Sequence, residues 1–365
     1  MEADSERSAH PELIECTWFA EPRHRHWLRC RRNDATLRPN SLENSPMPAA
    51  ETPVVLSHGG STASVLPEYG FNCYAFRAQV GDRIIDVIDS SPDFPVKQQR
   101  ASGNGIPILF PFPNRIRDGR YSWDGRDFEI PLTPDRPNAI HGFALDTPWR
   151  VIERKENLVV GEWQLSRDDP ERASAWPTDC LIQVAYELSG ATLHSRIRIR
   201  NPDTKPMPWG FGTHAYFRLP LGDDGSVDRC LIEAPVGKQW ELEDFLPTGK
   251  LVPIPAEKDV SQGAYVRSAT FDDVLTDVTP QADHIACTIM DEQAALEVIQ
   301  ACDPRVREIV VYTPPDRDAV CLEPYTCVTD AINLQQQGVD AGWQVLAPGE
   351  THETWIDITA RPVIV

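Results

Sequence analysis

The stretch Leu181-Ile182-Gln183-Val184-Ala185-Tyr186-Glu187-Leu188-Ser189-Gly190-Ala191-Thr192-Leu193-His194-Ser195-Arg196-Ile197-Arg198-Ile199-Arg200 decides the fold. Ile182, Val184, Tyr186 and Leu188 take every second position, then Ser189-Gly190 supplies a turn. Leu193, Ser195, Ile197 and Ile199 again share one parity. Side chains two apart lie on the same face of a strand, so this pattern predicts two half-buried strands joined as a hairpin.

The same grammar extends in both directions. Tyr121-Ser122-Trp123, then Asp124-Gly125, then Phe128 and Ile130 read as a hairpin, because Asp-Gly supplies the positive φ angles of a tight turn. Val151 and Ile152, a Lys155-Glu156-Asn157 turn and Leu158 to Leu165 give another, and Glu353 to Ile358 is the last strand. No long stretch has helical periodicity, and 33 prolines suit turns, loops and sheet edges better than helices. The expectation is an all-β, antiparallel domain over residues 49–365, with no composition break that would mark a second one.

Residues 1–48 differ. They mix acids with a basic cluster, Arg23-His24-Arg25-His26 through Arg31-Arg32, and lack apolar periodicity. They are expected to be a disordered tail, or to reflect a misassigned start, since Met47 follows directly. Net charge is −20 over 365 residues, which argues against nucleic acid as a partner and against anionic membrane surfaces. No apolar run approaches the ~20 residues that cross a bilayer. Nine cysteines lie scattered without CxxC pairing, and the first residues carry acids rather than an apolar signal stretch. Both features favour a reducing, cytoplasmic setting with the thiols, Cys321 and Cys327 included, used for packing.

Chemistry concentrates in a few places. The proline-punctuated run Asn104 to Arg117 ends by presenting Asn114 and Arg115, the latter a rigid fork of donors suited to sugar oxygens. His141 precedes Gly142, where backbone can approach closely. His214 sits among Trp209, Phe211, Tyr216 and Phe217, aromatic walls of the kind that stack on the C–H faces of a sugar. Glu323 lies between Leu322 and Pro324, where burial would raise its pKa toward that of a general base. Asp272 and Asp273 form an acidic pair between Phe271 and Val274.

Taken together, Pro113-Asn114-Arg115-Ile116, Ile140-His141-Gly142, Thr213-His214-Ala215-Tyr216-Phe217, the Asp272 position, and Leu322-Glu323-Pro324 with Asp330-Ala331-Ile332-Asn333 resemble, in order, the aldose 1-epimerase (galactose mutarotase) family. The resemblance covers about residues 52–360. It implies a galactose mutarotase-like β-sandwich (supersandwich) with a cleft on a sheet face. It also implies interconversion of the α and β anomers of a free aldohexose such as glucose or galactose, with no cofactor and no metal. Glu323 resembles the base that takes the anomeric proton, and His214, as imidazolium, the acid that protonates the ring oxygen. His141 and Arg115 resemble residues that orient the sugar, with Asn114 assisting. Asp272 resembles the carboxylate that holds hydroxyls, Asp273 remaining an alternative. The chain departs from the family at Phe110-Pro111-Phe112-Pro113, at Asp273 and at Pro324-Tyr325, which bears on the preferred sugar.

Three rival readings use the same residues: a non-catalytic carbohydrate-binding domain, a metal site of His141, His214 and Glu323, and a hexose-phosphate epimerase. The last needs a basic cluster that the sequence does not place. The expected partner is a small-molecule sugar, and the expected state a monomer or weak dimer.

Overall fold

In the computed structural model the Leu181–Ser189 and Thr192–Arg200 strands pair antiparallel, Ser189 facing Thr192 and Leu181 facing Arg200. The structure describes residues 53–98, 100–133 and 136–363. The tail expected over residues 1–48 lies outside them. The described residues belong to one compact unit.

That hairpin sits inside a nine-stranded antiparallel sheet. On one side follow Leu158–Gln164 and Arg150–Arg154, the hairpin expected around Lys155-Glu156-Asn157. On the other lies Thr351–Pro362, then Leu296–Cys302 and Ile285–Asp291. The Thr351–Pro362 strand is longer than the expected Glu353–Ile358, because neighbours hold both its edges: Thr192–Arg200 along one and Leu296–Cys302 along the other. The Asp124-Gly125 hairpin forms as Arg120–Trp123 against Arg126–Glu129. The longest helix among the described residues, Ala331–Gln336, has six residues, and none is long and apolar enough to cross a membrane.

A second sheet of eight strands carries Asp272–Thr276, Glu308–Tyr312 and Ala319–Tyr325 side by side. Its two faces are set by alternation along Ala319–Tyr325. Val320 and Leu322, with Ile309 and Val311 of the neighbouring strand, join one apolar cluster with Ile289, Val298, Ile356 and Ile358 of the nine-stranded sheet. Gln300 Nε2 also donates to Leu322 O at 2.9 Å, tying the two layers together. Each such fully buried aliphatic side chain contributes roughly 1.5–3 kcal/mol relative to exposure. The remaining positions, Cys321, Glu323 and Tyr325, point to the opposite face, and that face carries the cleft.

Candidate active site

The neighbour of Ala319–Tyr325 is not one strand but two short ones, Gly212–Thr213 and Tyr216–Arg218. Gly212 faces Tyr325 and Tyr216 faces Cys321, so the register runs through the gap and sets His214 across from Glu323. Pro324 has no N–H to give a ladder, and it stands where the ladder is interrupted. The His214 backbone N–H goes instead to Pro107 O at 3.1 Å. His214 Nε2 thereby comes to 3.3 Å from Glu323 Oε1. The Tyr325 hydroxyl donates to the other carboxylate oxygen, Glu323 Oε2.

Two more groups arrive on a separate short ladder. Arg115 pairs with Ile140, and the His141 N–H donates to Asn114 O at 2.7 Å. Asn114 and His141 both take left-handed backbone angles, with φ of 52° and 68°, a strained conformation that surrounding structure must hold. Asn114 Oδ1 accepts from the Arg115 guanidinium at 2.8 Å, and that guanidinium stands 5.0 Å over the Phe245 ring. At Gly142, φ is 75° and an added Cβ would come within 2.2 Å of Phe110 O, so only glycine allows the chain to turn there and present His141.

These side chains line one cleft of about 170 Å³: Asn114, Arg115, His141, His214, Asp272 and Glu323 all face it. The six residues expected from the sequence are therefore brought together. Asp273 is not among the lining residues; its carboxylate is held by Lys258 Nζ at 2.8 Å, away from the cleft. Sequence reasoning missed Tyr325, Arg136, Tyr312 and Ser102, which also line it. Tyr325 could have been found from its spacing, since it lies two residues from Glu323 and so on the same strand face. Tyr312 enters through cross-strand pairing with Asp272 and Cys321, which only the register reveals.

The imidazoles are packed tightly. His214 stacks on Tyr216 with ring centroids 4.7 Å apart, and His141 meets His214 edge-on at 5.6 Å. Tyr216 in turn lies under the Arg317 guanidinium at 4.4 Å and donates to Ser102 O at 3.0 Å. Glu323 is 1% exposed and His214 7%. Burial pushes the Glu323 carboxyl well above its usual range, with Asp272 adding to the shift and Tyr325 and Arg115 opposing it. Burial pushes His214 down to about 3, and the charges of Arg317 and Arg115 add to this. His141 is likewise held well below its ordinary value, first by burial and then by His214. Nδ1 of both rings is buried without a hydrogen-bond partner in the protein, which also disfavours an imidazolium.

Burial thus disfavours the charged form of both members of the pair, the imidazolium at His214 and the carboxylate at Glu323. The rival metal reading named His141, His214 and Glu323. Among the described residues, the cluster with ligand atoms all within 4.8 Å of one another is His214, Cys321 and Glu323.

Comparison with known proteins bears on the fold and the family. A 25% identical stretch of 254 residues matches the uncharacterised Escherichia coli K12 protein YihR, covering 69% of this chain and 77% of that one. A galactose mutarotase of Rattus norvegicus is 28% identical over 163 residues, 42% of this chain and 46% of the rat protein. Among solved structures, a galactose mutarotase-like protein from Clostridium acetobutylicum superposes with a TM-score of 0.76 at 21% identity, covering 85% of this chain and 95% of that one. An aldose epimerase homologue from C. elegans gives a TM-score of 0.70 at 19% identity, covering 86% and 99%. The fold is therefore the galactose mutarotase-like β-sandwich. With the aldose 1-epimerase family model matching residues 53–359, the chain belongs to the aldose 1-epimerase family.

Proposed function

We propose that this protein interconverts the α and β anomers of a free aldohexose by opening and closing its ring. The observation that carries the reading is the buried His214–Glu323 pair at 3.3 Å in a sugar-sized cleft. The pair offers a proton acceptor and a proton donor on adjacent atoms, as the reaction demands.

Glu323 takes the hydrogen of the anomeric hydroxyl O1. The O1 electron pair forms the C1=O1 double bond while the C1–O5 bond breaks, and O5 takes a proton from His214. Rotation about C1–C2 presents the other carbonyl face, and closure returns both protons, so nothing is consumed. A proton on His214 and a carboxylate at Glu323 ready the pair. Tyr325 donates to Glu323 Oε2, supporting the carboxylate. His141, Arg115 with Asn114, and Asp272 line the cleft as donors and acceptors for the ring hydroxyls.

The test is polarimetry with freshly dissolved α-anomers of a panel of free hexoses, on wild type and Glu323→Gln. The expected result is accelerated anomerisation that drops by ~100-fold or more in the variant. No acceleration with any sugar overturns the reading in favour of a sugar-binding module, and an undiminished rate in Glu323→Gln removes Glu323 as the base.

A further inference from the structure

Cys321 lies two residues before Glu323, so their side chains share the cleft face of one strand, and the register places His214 against them from the neighbouring strand. A thiol sulfur, an imidazole nitrogen and a carboxylate oxygen all fall within 4.8 Å of one another, and all three residues are buried. The acid–base reading above uses two of these groups and leaves to the thiol only its packing with Tyr216, Ala319 and Tyr312. We propose that His214, Cys321 and Glu323 form a site for a soft divalent cation of the zinc type, whose binding locks the acid–base pair and shuts off turnover.

The donor set fits such an ion. Sulfur, nitrogen and one carboxylate oxygen are the ligands zinc takes, whereas magnesium and calcium want oxygen donors alone. Around a tetrahedral zinc, neighbouring ligand atoms stand roughly 3.3–3.8 Å apart. The His214–Glu323 pair is already at 3.3 Å, and the sulfur lies within 4.8 Å of its partners' ligand atoms. Charge also balances: a thiolate and a carboxylate neutralise a divalent ion, so the complex is buried with no net charge. On loading, Cys321 gives its S–H proton to solvent, any proton between His214 Nε2 and Glu323 Oε1 leaves as well, and no electrons are transferred. Tyr325 still donates to Glu323 Oε2, an outer support that fixes the carboxylate with Oε1 directed to the metal. A water or a sugar oxygen would complete the tetrahedron.

The inhibitory consequence rests on the proposed acid–base function; the binding site does not. Two measurements on the full chain separate them. Titration with cobalt(II) chloride is expected to give a thiolate-to-cobalt charge-transfer band in the near ultraviolet at one equivalent. Zinc chloride should displace it, and both Cys321→Ser and His214→Asn should lack it. Because two separate variants report, a folding failure in one leaves the other. No band in wild type, or a band that persists in either folded variant, overturns the site. In polarimetry, zinc chloride is expected to inhibit in competition with sugar, EDTA to restore the rate, and magnesium chloride to do nothing. Cys321→Ser, referred to its own zinc-free rate, should lose at least about 10-fold in zinc sensitivity. A band without any mutarotation refutes the proposed function and keeps the site; mutarotation insensitive to zinc refutes the inhibition.

Discussion

Tyr325 and Glu323 are joined by a hydrogen bond from the phenol to Oε2, on the side of the carboxylate opposite the His214 contact to Oε1. Both carboxylate oxygens are therefore engaged, and the base cannot rotate without breaking one of the two interactions. The spacing of two along a single strand makes this possible, because it puts both side chains on the cleft face. Tyr325 is completely buried, so its donor is not exchanged for water. Burial of Glu323 favours the neutral acid, and the phenol partly offsets this by favouring the carboxylate.

Tyr325→Phe is expected to reduce kcat by roughly 10- to 100-fold, the loss of one hydrogen bond to a charged group, with little change in KM. Without the phenol the Glu323 pKa rises further, so the acidic limb of the pH–rate profile moves to higher pH. A profile superimposable on wild type would show that the phenol serves packing alone.

Asp272 and Asp273 are neighbours with opposite fates. Asp272 stands at the cleft, where partial desolvation raises its carboxyl above the usual range and Arg115 pulls it back. Asp273 is tied to Lys258. Asp272→Asn is expected to raise KM by about 10-fold through a lost charge-assisted hydrogen bond to a sugar hydroxyl, whereas Asp273→Asn leaves KM within about twofold. Equal effects from the two variants would remove the distinction.

The alternation of Ile182 to Ile199 and the Asp124-Gly125 turn made the antiparallel sheets legible, because period and turn chemistry are local properties. The site residues were legible as motifs, and His141-Gly142 even as a close backbone approach. The penalty on charge at the His214–Glu323 pair was not. It depends on how completely Glu323 and His214 are removed from water, which is decided by strands distant in sequence. Tyr312 reaches the cleft by facing Asp272 on one edge and Cys321 on the other, a relation that no local pattern encodes. The pairing of Asp273 with Lys258 likewise crosses a loop.

Gly142→Ala tests how His141 is held. The added methyl must occupy a left-handed conformation at φ 75° and would meet Phe110 O at 2.2 Å, part of a turn in which Phe143 and Ala144 both donate to that same oxygen. The expected cost is roughly 2–4 kcal/mol of stability, with a larger loss of turnover than stability alone explains, because His141 shifts with the turn. Denaturant unfolding and polarimetry on the same sample check both, and a stability loss under about 0.5 kcal/mol would contradict the close approach.

The last prediction concerns stability in acid and uses a histidine outside the cleft. His352 packs against Trp209 with ring centroids 4.7 Å apart. Burial pushes it down from 6.5 to about 4, Arg305 adding to the shift and Asp303 opposing it. The unfolded chain takes up a proton near pH 6.5 while the folded protein resists until about 4, so the unfolded state binds more protons across that window. The stabilising contribution is whole above pH 6.5 and is lost as pH falls toward 4. His214 acts in the same direction down to about 3, but the raised Glu323 beside it opposes: its contribution is present at low pH and lost as pH rises. His352 therefore gives the cleaner reading. Urea unfolding across this window is expected to show stability falling with pH, and His352→Gln to flatten the fall by at most about 1.4 kcal/mol per pH unit. A variant whose slope matches wild type would mean that His352 charges in the folded protein as readily as in the unfolded chain.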